Sequence, residues 1–152
     1  MQVRTFKAQD AEGVKSLILG ILAQEYPFDQ SAYSDSDIND IAGVYGGKGD
    51  TFFVLDDGKG HIIGTAGVKQ DAEGSALLRR LFVHKNERKK GYGGQLINKA
   101  LEFCKRSKYK YVVFRTTGRM KDAIELCKKR GFKQAEELDL GGFTIYKFVL
   151  EI

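Results

Sequence analysis

The sequence predicts a mixed α/β fold in which helices cover both faces of a central sheet. Short apolar runs between polar or glycine-rich turns, such as 77–83 and 111–116, are typical of buried strands. Longer segments between them repeat apolar residues at every third or fourth position, which is typical of amphipathic helices. The order is β-α-α-β-β-β-α-β-α-β-β, and a length of 152 residues suits one domain spanning residues 1–152.

Two helices are predicted in the first third of the chain. Residues 3–7 are predicted as a strand, and Asp10 is a suitable N-cap for the helix that follows. Pro27, the only proline, ends that helix. A second helix is predicted to begin at Asp35 or Ser36. The inward-facing residues are predicted to be Val14, Leu17, Ile18, Ile21 and Leu22 in the first helix and Ile38, Ile41, Ala42 and Tyr45 in the second.

Strands dominate the rest of the chain. Residues 51–55 and 62–69 flank a turn rich in Asp and Gly, which predicts an antiparallel hairpin. The apolar run 77–83 is predicted as the central strand. The later elements are predicted as a helix with Leu96, Ile97, Ala100, Leu101 and Cys104 on its apolar face, a strand over 111–116, a helix over 120–130, and a hairpin of 133–138 with 143–150.

The end of the central strand carries the pattern of a phosphate site. A basic turn over 84–90 leads into Gly91-Tyr92-Gly93-Gly94 and then into an amphipathic helix. Glycines allow positive φ and close approach of the backbone, and the start of a helix offers unpaired N–H groups and partial positive charge. The spacing fits neither a G-x-G-x-x-G dinucleotide fingerprint nor a P-loop. The stretch therefore predicts an anion site of another kind.

Charge is distributed unevenly along the chain. The net charge is +5, and six Lys or Arg but only one Glu lie between Arg79 and Lys90. Five acids and no Lys or Arg lie between Ile21 and Tyr45. One basic turn beside one acidic segment suggests a polyanionic cofactor and a cationic substrate, whereas a nucleic-acid-binding face is more often a broad basic stripe. The acids of this segment, which could equally be caps and solvated turn residues, are Glu25, Asp29, Asp35, Asp37 and Asp40.

Composition also bears on the compartment. No apolar run approaches the roughly 20 residues needed to cross a bilayer, and the N-terminus lacks the apolar core of a signal peptide. The two cysteines, Cys104 and Cys127, lie in predicted helices without metal-ligand spacing. We therefore expect a reduced, cytoplasmic protein with no metal, no nucleic-acid partner and no membrane contact.

Two strings resemble one known family. The run from Arg88 to Gly93 resembles the [RQ]-x-x-G-x-[GA] pyrophosphate loop of the GNAT N-acetyltransferase superfamily, and 122–132 resembles its N-A-x-x-L-Y-x-x-x-G-F string at Ala123, Leu126, Gly131 and Phe132. The resemblance covers nearly the whole chain and implies a GNAT-like, mostly antiparallel sheet that binds acetyl-coenzyme A (acetyl-CoA). The cofactor-binding residues that it implies are Leu81, Phe82, Val83, Arg88, Lys89, Lys90, Gly91, Tyr92, Gly93, Gly94 and Asp122.

The chain departs from the family pattern at its acid–base positions. Asp122 stands where the family usually has Asn, and Leu77 where many members have a catalytic Glu. Cys127 stands where many members have a Tyr that protonates the departing thiolate; we favour packing for Cys127 over catalysis, because no motif supplies an activating base. Glu25 lies in the segment that borders the acceptor site in GNAT folds. The catalytic candidates are therefore Glu25 and Cys127.

The resemblance implies transfer of an acetyl group from acetyl-CoA to a primary amine of a small molecule or peptide by direct attack. Arg115, Thr116 and Thr117 end a strand near the acceptor side of the family fold. The alternatives are a non-catalytic acyl-CoA sensor with the same fold and a basic RNA-binding domain, which would need interleaved exposed aromatic residues. The sequence leaves the acceptor and the possibility of a homodimer open.

Overall fold

The computed structural model describes residues 1–28 and 36–152. The described residues form a mixed seven-stranded sheet in the order β1-β2-β3-β4-β5-β7-β6, with four α-helices. This element order is the predicted one. The strands are β1 (Gln2–Thr5), β2 (Thr51–Asp56), β3 (Ile62–Gln70), β4 (Ser75–Val83), β5 (Tyr111–Thr117), β6 (Lys133–Asp139) and β7 (Thr144–Glu151), and the helices are α1 (Ala11–Glu25), α2 (Ile41–Val44), α3 (Tyr92–Arg106) and α4 (Lys121–Lys129).

The sheet opens between its two central strands. All neighbouring strands pair antiparallel except β4 and β5, which are parallel. The β4–β5 ladder is short and runs only from Ser75 opposite Tyr111 to Leu78 opposite Phe114. On its other side, β4 stays paired with β3 as far as Val83, which is opposite Gly64. The last five residues of β4 therefore have a strand partner on one side only. The result is a cleft between β4 and β5 in the middle of the sheet.

A β-bulge marks the place where the cleft begins. The register between β3 and β4 shifts between Thr65 and Gly67, and Arg80 on β4 has a positive φ of 55°. The Thr65 hydroxyl donates a hydrogen bond of 2.7 Å to the Arg80 carbonyl. A bulge bends a strand and redirects its side chains. Here it turns β4 away from β5 and aims the Arg80 side chain into a buried ion pair described below.

Two hydrophobic layers lie on opposite faces of the sheet, as predicted. One layer packs the apolar faces of α3 and α4 against the strands, with Leu96, Ile97 and Cys127 fully buried. The other packs α1 against the opposite face, with Val14 and Ile18 fully buried. Truncating a buried leucine such as Leu96 to Ala typically costs about 2–5 kcal/mol. None of the described helices is long and apolar enough to cross a membrane.

The helix α2 is shorter than predicted. It covers only Ile41–Val44, because the Asp40 carboxylate accepts a hydrogen bond of 3.1 Å from the Gly43 N–H and so begins the helix at Ile41. Residues 36–39 form a turn, and Asp35 lies outside the described residues. Ile38, Ile41 and Tyr45 are buried as predicted, whereas Ala42 is exposed on the short helix.

Asp10 occupies the predicted position immediately before α1, but its side chain does not cap that helix. The carboxylate accepts a hydrogen bond of 2.8 Å from the Lys7 N–H and closes a short 3₁₀ turn over Ala8–Asp10. It also accepts two hydrogen bonds from Arg4, at 2.8 and 2.9 Å. Asp10 therefore joins β1 to the start of α1.

Candidate active site

The end of β4 continues into the loop that the sequence singles out. A 3₁₀ turn over Lys85–Glu87 follows the strand, and α3 begins at Tyr92. Gly91, the N-cap, is left-handed with φ of 85°, and Lys89 also has a positive φ of 61°. Because the first turn of a helix has N–H groups without intrahelical partners, this end of α3 presents donors and partial positive charge. A helix start with this geometry is suited to binding an anion.

Two glycines of the loop are needed for different reasons. A Cβ atom on Gly91 would meet nothing within 4 Å, so its requirement is the positive φ. A Cβ atom on Gly93 would lie 2.7 Å from Leu126 Cδ1 on α4, so the end of the Leu126 side chain would have to move away. Gly93 therefore lets α3 approach α4, and the two helices together enclose the space beyond the loop.

A cavity of about 450 Å³ opens at this loop. It lies between the end of β4, the start of α3 and the exposed side of α4. Its lining includes ten of the eleven residues predicted to bind the cofactor: Leu81, Phe82, Val83, Arg88, Lys89, Gly91, Tyr92, Gly93, Gly94 and Asp122. The eleventh, Lys90, does not line the cavity; its ammonium donates to Glu87 at 2.9 Å on the surface.

Arg88 is held in place by two partners. Its Nε donates to the Val83 carbonyl at 2.9 Å, and its two terminal nitrogens donate to the two carboxylate oxygens of Glu25, one of them at 2.9 Å. The hydrogen bonds that Arg88 donates to Glu25 raise the pKa of Arg88. This bidentate ion pair fastens the C-terminal end of α1 to the loop. Glu25 itself does not line the cavity.

Cys127 lies in the hydrophobic layer beneath α4. It is 0% exposed and belongs to the same buried cluster as Phe132 and Phe148. Burial raises the pKa of its thiol to about 12. Cys127 lines neither this cavity nor the second one described next. Cys104 on α3 is equally buried, and burial likewise raises its pKa to about 12.

A second cavity of about 460 Å³ adjoins the first at the opening between β4 and β5. The two cavities share Leu81, Phe82 and Met120, so a ligand in one can reach a ligand in the other at that place. Leu77 lines the second cavity and supplies no carboxylate there. The remaining lining residues are Leu78, Arg79, Arg80, Phe114, Arg115, Thr116 and Ile145.

A buried ion pair supports the second cavity. Arg80 donates to Asp37 through its Nε at 3.0 Å and through a terminal nitrogen, and the Tyr45 hydroxyl donates to the same carboxylate at 2.6 Å. Burial raises the pKa of Asp37, but the hydrogen bonds from Arg80 and Tyr45 outweigh it, and the pKa lies below its ordinary value. The sequence gives no signal for this pair, because its members lie 43 residues apart.

The described acids of the segment 21–45 all have partners within the protein. Glu25 binds Arg88, Asp37 binds Arg80, and Asp40 caps α2. Asp29 and Asp35 lie outside the described residues. The expectation of a cationic substrate therefore draws no support from the described acids, whose role is structural.

The model of the Acetyltransferase (GNAT) family matches residues 17–132, about three-quarters of the chain and both strings singled out above. The chain belongs to the GNAT acetyltransferase family. The match begins within α1 and ends at Phe132, so it includes the basic loop, the cleft and α4. No protein with a curated description matches the chain significantly in sequence.

Solved structures of acetyltransferases share this fold over nearly the whole chain. An acetyltransferase of the GNAT family from Staphylococcus aureus Mu50 is 19% identical, with a TM-score of 0.85, 99% of this chain covered and 98% of that chain covered. An acetyltransferase from Streptococcus agalactiae 2603 is also 19% identical, with a TM-score of 0.86 and the same coverage. A phosphinothricin acetyltransferase from Sinorhizobium meliloti, solved in complex with acetyl-CoA, is 15% identical, with a TM-score of 0.83, 99% of this chain covered and 88% of that chain covered.

Proposed function

We propose that this GNAT protein is an N-acetyltransferase that moves the acetyl group of acetyl-CoA to a primary amine of a small molecule or peptide. The observation that carries the proposal is the basic, glycine-containing start of α3, which opens into a cavity ending at the open edge of β4. Membership of the family and the acetyl-CoA complex of the Sinorhizobium neighbour support acetyl-CoA as the donor.

The proposed cofactor site divides into two parts. The pyrophosphate is bound by the backbone N–H groups of the first turn of α3, with Gly91 providing the positive φ and Lys89 the charge. The pantetheine arm lies along Leu81 to Val83, where β4 has no pairing with β5. Backbone groups of an unpaired strand edge are obligatory hydrogen-bonding groups, so they are suited to the amides of pantetheine.

The proposed reaction is direct attack by the neutral amine on the thioester carbonyl. The new C–N bond forms as the C–S bond breaks, the CoA thiolate leaves, and the amine loses one proton. The two cavities meet at Leu81, Phe82 and Met120, and we place the thioester there. Orientation of the two reactants and stabilisation of the oxyanion by N–H groups of the β4 edge supply the acceleration.

Proton transfer is the demanding step. Neutralising an alkyl amine with a pKa near 10.4 at pH 7 costs roughly 4–5 kcal/mol. Glu25 and Cys127 are the two proton-transfer candidates. Both oxygens of Glu25 accept hydrogen bonds from Arg88, and Glu25 lines neither cavity. Cys127 is buried outside both cavities. The geometry therefore favours positioning for Glu25 and packing for Cys127, and proton removal then depends on a chain of water molecules or on an acceptor with a lower pKa.

A specific observation favours a second candidate function. Leu77 replaces the usual Glu, and Cys127 is buried where the family commonly has Tyr, so a protein that binds acyl-CoA without turnover would retain the same cavity. Such a sensor would use the loop of α3 but not the second cavity. The two functions differ only in whether an acceptor reacts.

The experiment is an acetyl-transfer assay with a panel of amines. Release of the CoA thiol is followed spectroscopically, and mass spectrometry identifies the acetylated product. We expect thiol release that depends on both protein and acceptor, with one acetyl group on the product nitrogen. Tight acetyl-CoA binding without turnover of any amine would support the sensor. Absence of acetyl-CoA binding would contradict both functions.

A further inference from the structure

We propose that the acceptor amine carries a carboxylate, which Arg115 and Arg79 bind in the second cavity. This inference rests on the proposed function and names the chemical class of its acceptor. It is carried by the arrangement of cations across three neighbouring strands and by the composition of the cavity that they border.

The strand register brings three cations, which we call the row, to one face of the sheet where the β4–β5 ladder ends. Leu77 on β4 is opposite Val113 on β5, and Arg79 and Arg115 each follow by two residues, so their side chains lie on the same face of the sheet. Arg115 is in turn directly opposite Lys147 on β7. Like charges directly opposite each other on antiparallel strands are destabilising. A row of this kind is stabilised when an anion binds between its members.

Acidic residues of the protein neutralise the positive charge of this row only weakly. Arg79 lies 3.8 Å from Asp37, whose oxygens also accept from Arg80 and Tyr45. Lys147 lies 3.9 Å from Glu136, whose side chain is 72% exposed. Among the described residues, none forms a hydrogen bond or ion pair with the side chain of Arg115. The charge of Arg115 is therefore available to a ligand.

The second cavity has the shape and lining of a small-molecule site. Its volume of about 460 Å³ lies in the usual range of roughly 300–1,000 Å³ for ligand pockets. Three of its lining residues are arginines and none is acidic, whereas the rest are mainly apolar. Arginine binds carboxylate and phosphate oxygens through its planar fork. An anion on Arg115 would leave the amine of the same molecule free to reach the place where the two cavities meet.

The test compares carboxylates with their matched amides. L-Leucine, L-phenylalanine and L-methionine are each paired with the corresponding amino acid amide, and kcat/KM is calculated per concentration of neutral amine. We expect the carboxylates to exceed their amides at least tenfold. Arg115→Gln should abolish this preference, and Arg115→Lys should restore part of it. The control is Arg106→Gln, which removes an exposed arginine at the end of α3 that lines neither cavity and should preserve the preference.

The outcomes separate this inference from the proposed function. Amides that react as well as the carboxylates, or a preference that survives Arg115→Gln, would overturn the inference while confirming acetyl transfer. If no amine reacts, the proposed function is wrong, and the inference is then tested by the binding of the amino acids. In that case the same amino acids should raise the melting temperature of the CoA complex of the wild type but not of Arg115→Gln. Equal shifts in both proteins, or no shift in either, would overturn it.

Discussion

Glu25 and Arg88 form a bidentate ion pair between the end of α1 and the loop before α3. Arg88 lines the cavity proposed for CoA, whereas Glu25 does not. Arg88 is further fixed by its hydrogen bond to the Val83 carbonyl. The carboxylate that the sequence offers as a catalytic base is thus the residue that orients a predicted cofactor-binding side chain.

Replacing Glu25 with Gln distinguishes a role in positioning Arg88 from a role as general base. If Glu25 positions Arg88, Glu25→Gln should weaken CoA binding by a factor of about 3–10, while kcat with saturating acetyl-CoA should change little. A general base would instead contribute about 10²–10⁴-fold to kcat. Calorimetric titration and steady-state kinetics measure the two effects. Glu12→Gln, at an exposed position of the same helix, is the control and should leave both values unchanged.

The two buried cysteines allow a matched test of packing against catalysis. Both are 0% exposed, and burial raises both pKa values to about 12. We expect Cys127→Ala and Cys104→Ala each to lower the free energy of unfolding by about 1–2 kcal/mol and to retain most of the turnover. A loss of turnover by about 10²–10⁴-fold in Cys127→Ala alone, with CoA binding intact, would instead identify Cys127 as a proton donor.

The two lysines of the loop should contribute unequally to CoA binding. Lys89 lines the cavity, whereas Lys90 is paired with Glu87 on the surface. We expect Lys89→Ala to weaken CoA binding modestly, more at low than at high ionic strength, and Lys90→Ala to have the smaller effect. Titrations with CoA and dephospho-CoA at two salt concentrations measure this. A larger loss in Lys90→Ala would contradict the placement of the phosphates.

The buried pair of Asp37 and Arg80 predicts a pH dependence of stability. The pKa of Asp37 is depressed in the folded protein, so its contribution is fully present above the unfolded value of about 3.9 and is lost as pH falls through the lower folded value. Asp37→Asn leaves Arg80 without its charge partner and should destabilise the protein by about 3–5 kcal/mol at pH 7.

Denaturant unfolding at several pH values checks this prediction. The difference between wild type and Asp37→Asn should be constant from pH 7 to about 5 and should shrink below about pH 4. Asp40→Asn is the control, because Asn caps a helix about as well as Asp and the carboxylate of Asp40 caps only α2. A difference that persists unchanged at low pH would show that the Asp37 charge does not stabilise the fold.

Local patterns sufficed to predict most of the fold. The apolar periodicity of α1 and α3 and the apolar run of β4 depend on neighbouring residues, so their faces could be identified from the chain alone. The loop from Arg88 to Gly94 was predictable for the same reason, because the glycines and the helix start follow each other in sequence. The cavity at this loop contains ten of the eleven predicted residues.

Features that depend on distant residues could not be predicted. Asp37 meets Arg80 across 43 positions, and Arg115 meets Lys147 only through the pairing of β5 with β7. The shorter α2 has a local cause. The Asp40 carboxylate accepts a hydrogen bond from the Gly43 N–H, and this cap makes the helix begin at Ile41 rather than earlier. The anionic group that we propose for the acceptor is inferred from such a long-range pairing, whereas the acidic segment, taken from the sequence alone, suggested a cationic substrate.

The central claim is that the start of α3 binds the pyrophosphate of acetyl-CoA, and calorimetric titration of Gly91→Val tests it most directly. A Cβ atom at Gly91 meets nothing within 4 Å in the protein, so the substitution should obstruct the ligand while leaving the core intact. Gly58→Val is the matched control, since Gly58 also has positive φ and open space around it but lies in the β2–β3 turn and lines neither cavity. Both should lose stability from strain at positive φ, roughly 1–2 kcal/mol.

Acetyl-CoA is then titrated into the folded wild type, Gly91→Val and Gly58→Val. The comparison distinguishes obstruction of the binding site from the effect of backbone strain at positive φ. We predict that Gly91→Val weakens binding at least about tenfold, equivalent to about 1.4 kcal/mol, whereas Gly58→Val binds like the wild type. Wild-type affinity in folded Gly91→Val, or equal losses in both variants, would contradict a pyrophosphate site at this loop.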